Sequence, residues 1–188
     1  MRGAGHALIV IAGCASAAHP RACPRGDVAI RGQDDVRALA GCRAITGSLV
    51  IRTGAPLDLH GLADVEQIAG DLVIGPTLAI GGVDGFAHLR AIGGQLRLAS
   101  NASATGAWFP ALERAGAVVV DGNLALTELS APRLATVGGD VTVAHNGALE
   151  VVDLGALVVA GRITFDDNRS LGDVSVPALS GDHHAPEL

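Results

Sequence analysis

The amino-acid sequence predicts an all-β fold in which about seven coils stack as a parallel β-solenoid. Glycine recurs from Gly47 to Gly161 at intervals of 23, 24, 22, 23 and 22 residues. Most of these glycines are followed, two and four residues later, by a branched apolar residue, an alternation typical of a short half-buried strand. A fixed period in the twenties is the sequence signature of a solenoid, so each stretch of 22–24 residues predicts one coil.

Each copy of the repeat predicts one strand of a shared sheet. An earlier copy, in which Val28 and Ile30 follow Gly26, brings the number of strands to seven. Between the strands, apolar residues recur at spacings of two or three, which suits short strands and turns better than a long helix. Stacked strands lie about 4.8 Å apart, so we expect one elongated domain about 30 Å long. The copies begin at Gly26, Gly47, Gly70, Gly94, Gly116, Gly139 and Gly161.

Asparagine marks a predicted corner three residues after each of the later strands. The two earliest full copies have Gly54 and Thr77 at this place. Asparagine tolerates the left-handed backbone of a sharp corner and bonds readily to nearby main chain. We expect the stacked amides to form a ladder along the solenoid. The corner residues are Asn101, Asn123, Asn146 and Asn168.

Residues 1–22 are predicted to be an export signal and a short tether rather than part of the fold. Arg2 and His6 precede a short apolar stretch, and the following Ile11-Ala12-Gly13-Cys14 resembles a bacterial lipobox, in which Cys14 becomes lipidated. The alternative is an ordinary secretory signal that is cut after Ala15-Ser-Ala17. The first route anchors the chain in the outer membrane or at the cell surface of a bacterium, and the second releases it into the periplasm or medium.

Two cysteines remain once Cys14 is lipidated or removed. Cys23 and Cys42 form an even pair in an oxidising compartment, so we expect a disulfide bond that pins the first coil. Between them, Asp34 or Asp35 is expected to cap a short helix that runs to Leu39 and is ended by Gly41. No CxxC or histidine pairing accompanies these cysteines, so neither a metal nor a cofactor is predicted.

The N-terminal motifs together resemble the opening of a receptor L domain, the ligand-binding lobe of insulin-type and EGF-type receptors. Cys23-Pro-Arg-Gly26-Asp-Val28-Ala-Ile30 carries this resemblance, as does the segment from Asp35 through Cys42 to Ile51. It implies a right-handed parallel β-helix with an N-terminal disulfide and a short capping helix. It also implies extracytoplasmic binding or a wall-structural role, with no catalytic residues to carry over.

The resemblance extends from Cys23 to about Leu179, which gives a β-solenoid domain over residues 23–181 and a polar tail over residues 182–188. Many L domains close with further cysteines, which this chain lacks at its C-terminal end. Because terminal coils of solenoids need a cap, either the polar tail folds over this end or the end contacts a partner or a second copy of the chain.

Candidate sites are few. Asp121, Asp140 and Asp166 lie on the predicted outer face of consecutive late coils, where they either chelate a cation or flank a sugar, or are simply solvated. Trp108 and Phe109 lie in the most irregular coil and are either a plug that fills a gap in the core or an exposed binding anchor.

The sequence therefore predicts a non-catalytic, lipid-anchored binding, adhesion or envelope-scaffold protein with a protein or glycan ligand. A net charge of −6 argues against nucleic acid as the partner, since phosphate binding requires a concentrated basic face. The alternative is a carbohydrate-active β-helix enzyme, either a polysaccharide lyase or a hydrolase. Near-constant coil length leaves little room for the groove that such an enzyme builds from long loops.

Overall fold

A computed structural model describes residues 23–177 of the chain. The predicted lipobox at Cys14 and the polar tail over residues 182–188 lie outside the described residues. Within them, all strand pairs are parallel and the coils stack as a β-solenoid of about seven turns, which confirms the predicted fold class.

Sixteen strands and two short helices make up the described part of the chain. The helices are α1 (Gln33–Ala38) and a 3₁₀ helix (His60–Leu62). In chain order the strands are β1 (Val28–Ile30), β2 (Ala44–Ile45), β3 (Leu49–Thr53), β4 (Gln67–Ile68), β5 (Leu72–Thr77), β6 (Ala91–Ile92), β7 (Gln95–Ala99), β8 (Gly106–Trp108), β9 (Arg114–Ala115), β10 (Ala117–Asp121), β11 (Glu128–Ser130), β12 (Thr136–Val137), β13 (Val141–Ala144), β14 (Val151–Asp153), β15 (Ile163–Asp166) and β16 (Asp173–Ser175).

Three parallel sheets form the walls of the solenoid. The first sheet has the order β1-β3-β5-β7-β10-β13-β15 and contains the seven predicted strands. Its register aligns the apolar position two residues after each repeat glycine, so that Val28, Leu49 and Leu72 are successive partners. The second sheet has the order β2-β4-β6-β9-β12, and the third has the order β8-β11-β14-β16.

The interior is one continuous aliphatic core. Alternate residues of each strand point inward, as Leu49 and Ile51 do in β3, and both are fully buried. The only stacked aromatic pair among residues 23–177 is Phe86 with Phe109, whose ring centroids lie 5.9 Å apart. Apolar residues from all the coils belong to one cluster of buried side chains, so burial is shared between coils.

Most of the repeat glycines are required by close stacking rather than by a turn conformation, whereas Gly26 has a φ of 80° and no atom within 4 Å of its would-be Cβ. The backbone N–H of Gly94 donates to the carbonyl of Gly70 over 2.9 Å, and that of Gly116 donates to Gly94 over 2.7 Å. A Cβ atom at Gly94 would collide with the carboxylate of Asp71, and one at Gly47 would collide with the backbone of Gly26. Neither Gly47 nor Gly94 has a positive φ. A glycine is needed because the coil below leaves no room for a side chain.

Helix α1 and the predicted disulfide close the N-terminal end. Val36 and Leu39 are buried against the first coils, and Cys23 is bonded to Cys42 across a sequence separation of 19 residues. A loop of this length contributes about 3 kcal/mol in the loop-entropy account of disulfides. The capping prediction needs correction, since Gly32 is the N-cap and Asp35 lies in the first turn. The Asp35 carboxylate accepts the N–H groups of Arg31 and Gly32 over 2.8 and 3.2 Å.

The asparagine corners form the predicted amide ladder. The Nδ2 of Asn101 donates to the Oδ1 of Asn123 over 2.8 Å, Asn123 donates to Asn146 over 2.9 Å, and Asn146 donates to Asn168 over 3.1 Å. Each Nδ2 also donates to the main chain of the preceding coil, for example to the carbonyl of Leu98. Asn101, Asn123 and Asn146 are buried, and the ladder satisfies these buried amides.

Two details of the corner prediction are wrong. The left-handed residue is not the asparagine but the one before it, with φ of 59° at Ser100, 65° at Gly122, 56° at His145 and 44° at Asp167. In the early coils, Thr53 rather than Gly54 aligns with Thr77, because the register shifts after Ile51. The turn is therefore made by the residue before the asparagine, and the asparagine side chain points along the stack. Thr77 begins the bonded column by donating to the Oδ1 of Asn101 over 2.7 Å.

Replacing one rung should destabilise the whole stack. In Asn123→Ala, the N–H and Nδ2 of Asn101 lose the oxygen that they share, and the carbonyl of Leu98 loses a donor. Leaving such buried groups without partners should lower the free energy of unfolding by about 3 kcal/mol or more, measured by urea denaturation followed by circular dichroism. The neighbouring Leu124→Ala is the control, because Leu124 is 73% exposed. Equal stability of the two variants would contradict a structural role for the ladder.

Candidate functional site

A second polar column runs along the outside of the first sheet. Where the residue after a repeat glycine is aspartate or serine, its side chain accepts the backbone N–H of the equivalent residue in the next coil. Asp27 accepts from Ser48 over 2.7 Å, Asp71 from Gln95 over 2.7 Å, and Asp140 from Arg162 over 2.8 Å. Sequence reasoning missed this role, although aspartate or serine directly after several repeat glycines was a visible signal. These carboxylates hold neighbouring coils together.

The structure does not bring the three predicted outer carboxylates together. Asp140 belongs to the column just described. Asp121 aligns with Ala144, which aligns in turn with Asp166, so these two carboxylates lie two strands apart, about 9–10 Å. No group of three or more histidine, cysteine or acidic side chains suited to a metal ion occurs within residues 23–177. The trio therefore does not form a chelating cluster.

Asp121 is instead the partner of His145. The Nδ1 of His145 lies 2.9 Å from the Oδ1 of Asp121 at an exposed corner. This hydrogen bond raises the pKa of His145, against a smaller effect of desolvation, and the charges of Asp121, Asp166 and Asp167 raise the pKa further. Nothing in the local sequence indicates this pair, because Asp121 lies 24 residues before His145 in the chain.

A similar pair occurs on the second coil. The Nδ1 of His60 lies 2.6 Å from Asp58, and its Nε2 lies 3.6 Å from Asp84. The hydrogen bond to Asp58, with the charges of Asp84 and Asp58, raises the pKa of His60. The pKa of Asp58 is lowered, chiefly by its hydrogen bond with the backbone N–H of His60. Both histidines are exposed, so their charges are screened by water.

The structure separates Trp108 and Phe109, which the sequence analysis treated as one pair. Phe109 is fully buried and stacks with Phe86, so it fills the core. Trp108 ends strand β8 with its side chain on the outer surface of the third sheet, where it is half-buried. Its six-membered ring covers Gly106, where a Cβ atom would collide with the ring, and reaches Gly82, where a Cβ atom would lie 3.2 Å from Cζ3. Phe109 is the plug, and Trp108 is a surface residue.

Outward-facing residues of the third sheet lie in two straight columns beside Trp108. We call this surface the Trp108 face. Its first column runs through Trp108, Ser130, Asp153 and Ser175, and its second runs through Gly106, Glu128, Val151 and Asp173.

A shallow groove follows the second sheet. It has a volume of about 330 Å³ and crosses four coils, with Ala44, Gln67, Ala91 and Arg114 in its outer column. Exposed ion pairs flank it, Arg43 with Glu66 at 3.2 Å and Arg90 with Glu113 at 3.7 Å. Exposed ion pairs of this kind contribute little to stability.

The C-terminal end of the described stack is partly apolar. A pocket of about 230 Å³ is lined by Phe165, Asp167, Asn168 and Leu171. Val174 and Val176 are half-buried and pack against the core. Self-association through this end stays a prediction, because the chain continues past residue 177.

No family model matches the chain, and no curated protein or solved structure matches it. No helix within residues 23–177 has both the length and the apolar character needed to cross a bilayer.

We expect the pKa of His145 to depend on Asp121. A raised pKa means that the folded protein binds this proton more tightly than the unfolded chain. The resulting stabilisation is complete below the ordinary histidine pKa of about 6.5, and it is lost as pH rises through the raised pKa of the folded protein. In Asp121→Asn, an NMR titration of the imidazole should give a lower pKa for His145 and an unchanged pKa for His60. A His145 pKa that does not move would contradict the assigned cause.

Proposed function

We propose that this chain is a non-catalytic binding, adhesion or envelope-scaffold protein of receptor L-domain type, held outside the cytoplasm by a lipid on Cys14. The observation that carries the proposal is how the outer polar groups are used. Asp27, Asp71 and Asp140 bond the backbone of the next coil, and Asp121 is paired with His145. The exterior left by this arrangement is a set of long, regular faces that suit contact with an extended partner.

The disulfide supports an extracytoplasmic location. Disulfide bonds form and persist in oxidising compartments, such as the periplasm and the cell surface. Cys23 and Cys42 join the start of the first coil to the end of the capping segment, so reduction would loosen the end at which the solenoid begins. The lipobox-like segment at Ile11-Ala12-Gly13-Cys14 supports the same location independently of the fold.

The N-terminus of the exported protein tests the anchor. After expression of the full chain in a bacterium with a lipoprotein pathway, mass spectrometry should find a mature protein that begins at a diacylated Cys14. The variant Cys14→Ala should lose the lipid and leave the membrane fraction, while Ala15→Ser should keep both. A mature chain that begins after Ala17 would contradict the lipid anchor and would show that the protein is freely secreted. An unprocessed chain in the cytoplasm would overturn the proposed location.

The absence of turnover tests the non-catalytic role. Purified protein incubated with neutral, amino-bearing and acidic polysaccharides should produce no new chain ends, measured as reducing sugars and as unsaturated products. Heat-denatured protein serves as the blank. The variant Asp121→Asn tests whether any cleavage depends on the carboxylate that is paired with His145. Cleavage that disappears on denaturation would favour the polysaccharide lyase or hydrolase instead.

A further inference from the structure

We infer that the Trp108 face binds pyranose saccharides that are neutral or carry amino groups, with Trp108 as the stacking surface. This inference rests on the proposed binding role and gives its ligand a chemical class. The supporting observation is the placement of one aromatic ring against two glycines and beside polar side chains that have free hydrogen-bonding capacity.

The position of the indole is set by two glycines. A Cβ atom on a strand points away from the sheet, so a ring that would collide with such an atom at Gly106 lies across the sheet surface. Gly82, in the preceding coil, also lies under the ring. A Cβ atom at Gly82 would be 3.2 Å from the ring atom Cζ3 of Trp108. One face of the ring is therefore packed on main chain. Because Trp108 is only half-buried, the opposite face of the ring is the part left accessible to solvent.

An indole held flat and open in this way is suited to a sugar ring. The face of an aromatic ring carries partial negative charge, and the C–H groups on one side of a pyranose carry partial positive charge. The contact also removes apolar surface of both partners from water. Because packing fixes the ring before the ligand arrives, little side-chain freedom is lost on binding.

Polar groups for the hydroxyls of the sugar lie on the next coils. Ser130 is the register partner of Trp108, and Glu128 is the partner of Gly106 under the ring. No hydrogen bond within residues 23–177 uses the carboxylate of Glu128 or the hydroxyl of Ser130. Asp153 follows Ser130 in the same column, and its Oδ1 accepts the N–H of Gly155 over 3.1 Å, with Oδ2 open to a ligand.

The charge of this face selects among saccharides. The strands β8, β11, β14 and β16 carry the carboxylates of Glu128, Asp153 and Asp173 and no basic residue. An acidic polysaccharide would be repelled, whereas a protonated amino group would be attracted both by the carboxylates and by the open indole face. The columns run along the solenoid axis at about one strand spacing per coil, so an extended chain can meet Trp108, Ser130 and Asp153 in turn.

Trp108 is the only tryptophan of the chain, so its fluorescence reports directly on this face. The full mature protein is titrated with a chitosan hexamer, with cellohexaose and with a galacturonate hexamer. We expect the first two to change the emission and to protect the indole from acrylamide quenching, with the chitosan hexamer binding more tightly. The galacturonate hexamer should leave the emission unchanged.

Variants measured by calorimetry assign the site. Trp108→Ala should raise the dissociation constant for both ligands by about tenfold or more. Glu128→Gln should weaken binding of the chitosan hexamer and leave cellohexaose unchanged, because the substitution removes only charge. Leu78→Ala is the matched control, since Leu78 is 65% exposed and belongs to neither column of the Trp108 face. Thermal unfolding of each variant verifies that the fold is kept.

Three results would overturn the inference. They are an equal affinity for the galacturonate hexamer, an affinity that Trp108→Ala leaves unchanged while the variant stays folded, and no binding of any of the three saccharides. None of them touches the processing at Cys14 or the lack of turnover, so the proposed extracytoplasmic binding role would survive with another ligand or another face. Cleavage of polysaccharides would instead remove the proposed non-catalytic role.

Discussion

Close stacking of backbone on backbone is the constraint on which the structure depends. Successive coils are bonded at equivalent residues, as in the bond from Gly94 to Gly70, so a side chain is admitted only where the neighbouring coil leaves room for it. This leaves no room for a Cβ atom at repeat glycines such as Gly47 and Gly94. It also aligns any polar side chain with its equivalents, which is why amides and carboxylates form columns. The repeat period in the sequence therefore follows from this backbone stacking of one coil on the next.

The sequence was informative about the fold to the extent that a feature repeats. The seven strands of the first sheet were predictable because glycine and the two following apolar positions recur with nearly constant spacing. The amide ladder was predictable for the same reason, whereas the residue that makes the turn was not. Ser100, Gly122, His145 and Asp167 share a left-handed backbone but no side-chain chemistry, so no pattern identified them. Each of them directly precedes an asparagine of the ladder, so what they share is an equivalent place in the stack.

Features that occur once were the ones that the sequence could not resolve. Trp108 and Phe109 are adjacent, yet alternation along a strand places one outside and the other in the core, and the boundary of this irregular coil was needed to decide which. Asp121 and His145 are brought together by a separation of about one coil, and no other corner of the ladder has a histidine at the position of His145. The bonds of Asp140 and Asp71 to the next coil do repeat, but an aspartate after a glycine is also common in solvated turns.

The division between inward and outward positions allows binding chemistry to be placed on this fold at little cost to its stability. Core side chains and the two polar columns supply the contacts between coils, so an outward residue of the third sheet can change without breaking them. Trp108 departs from this independence in one respect, since its ring needs glycine at Gly106 and lies close above Gly82. Glycine weakens a strand, as Gly106 does in β8. Neither Gly82 nor Gly106 belongs to the column of repeat glycines at the start of the coils. Two glycines that the fold itself does not need, placed beneath the only tryptophan, argue that the position of this ring serves contact with a ligand.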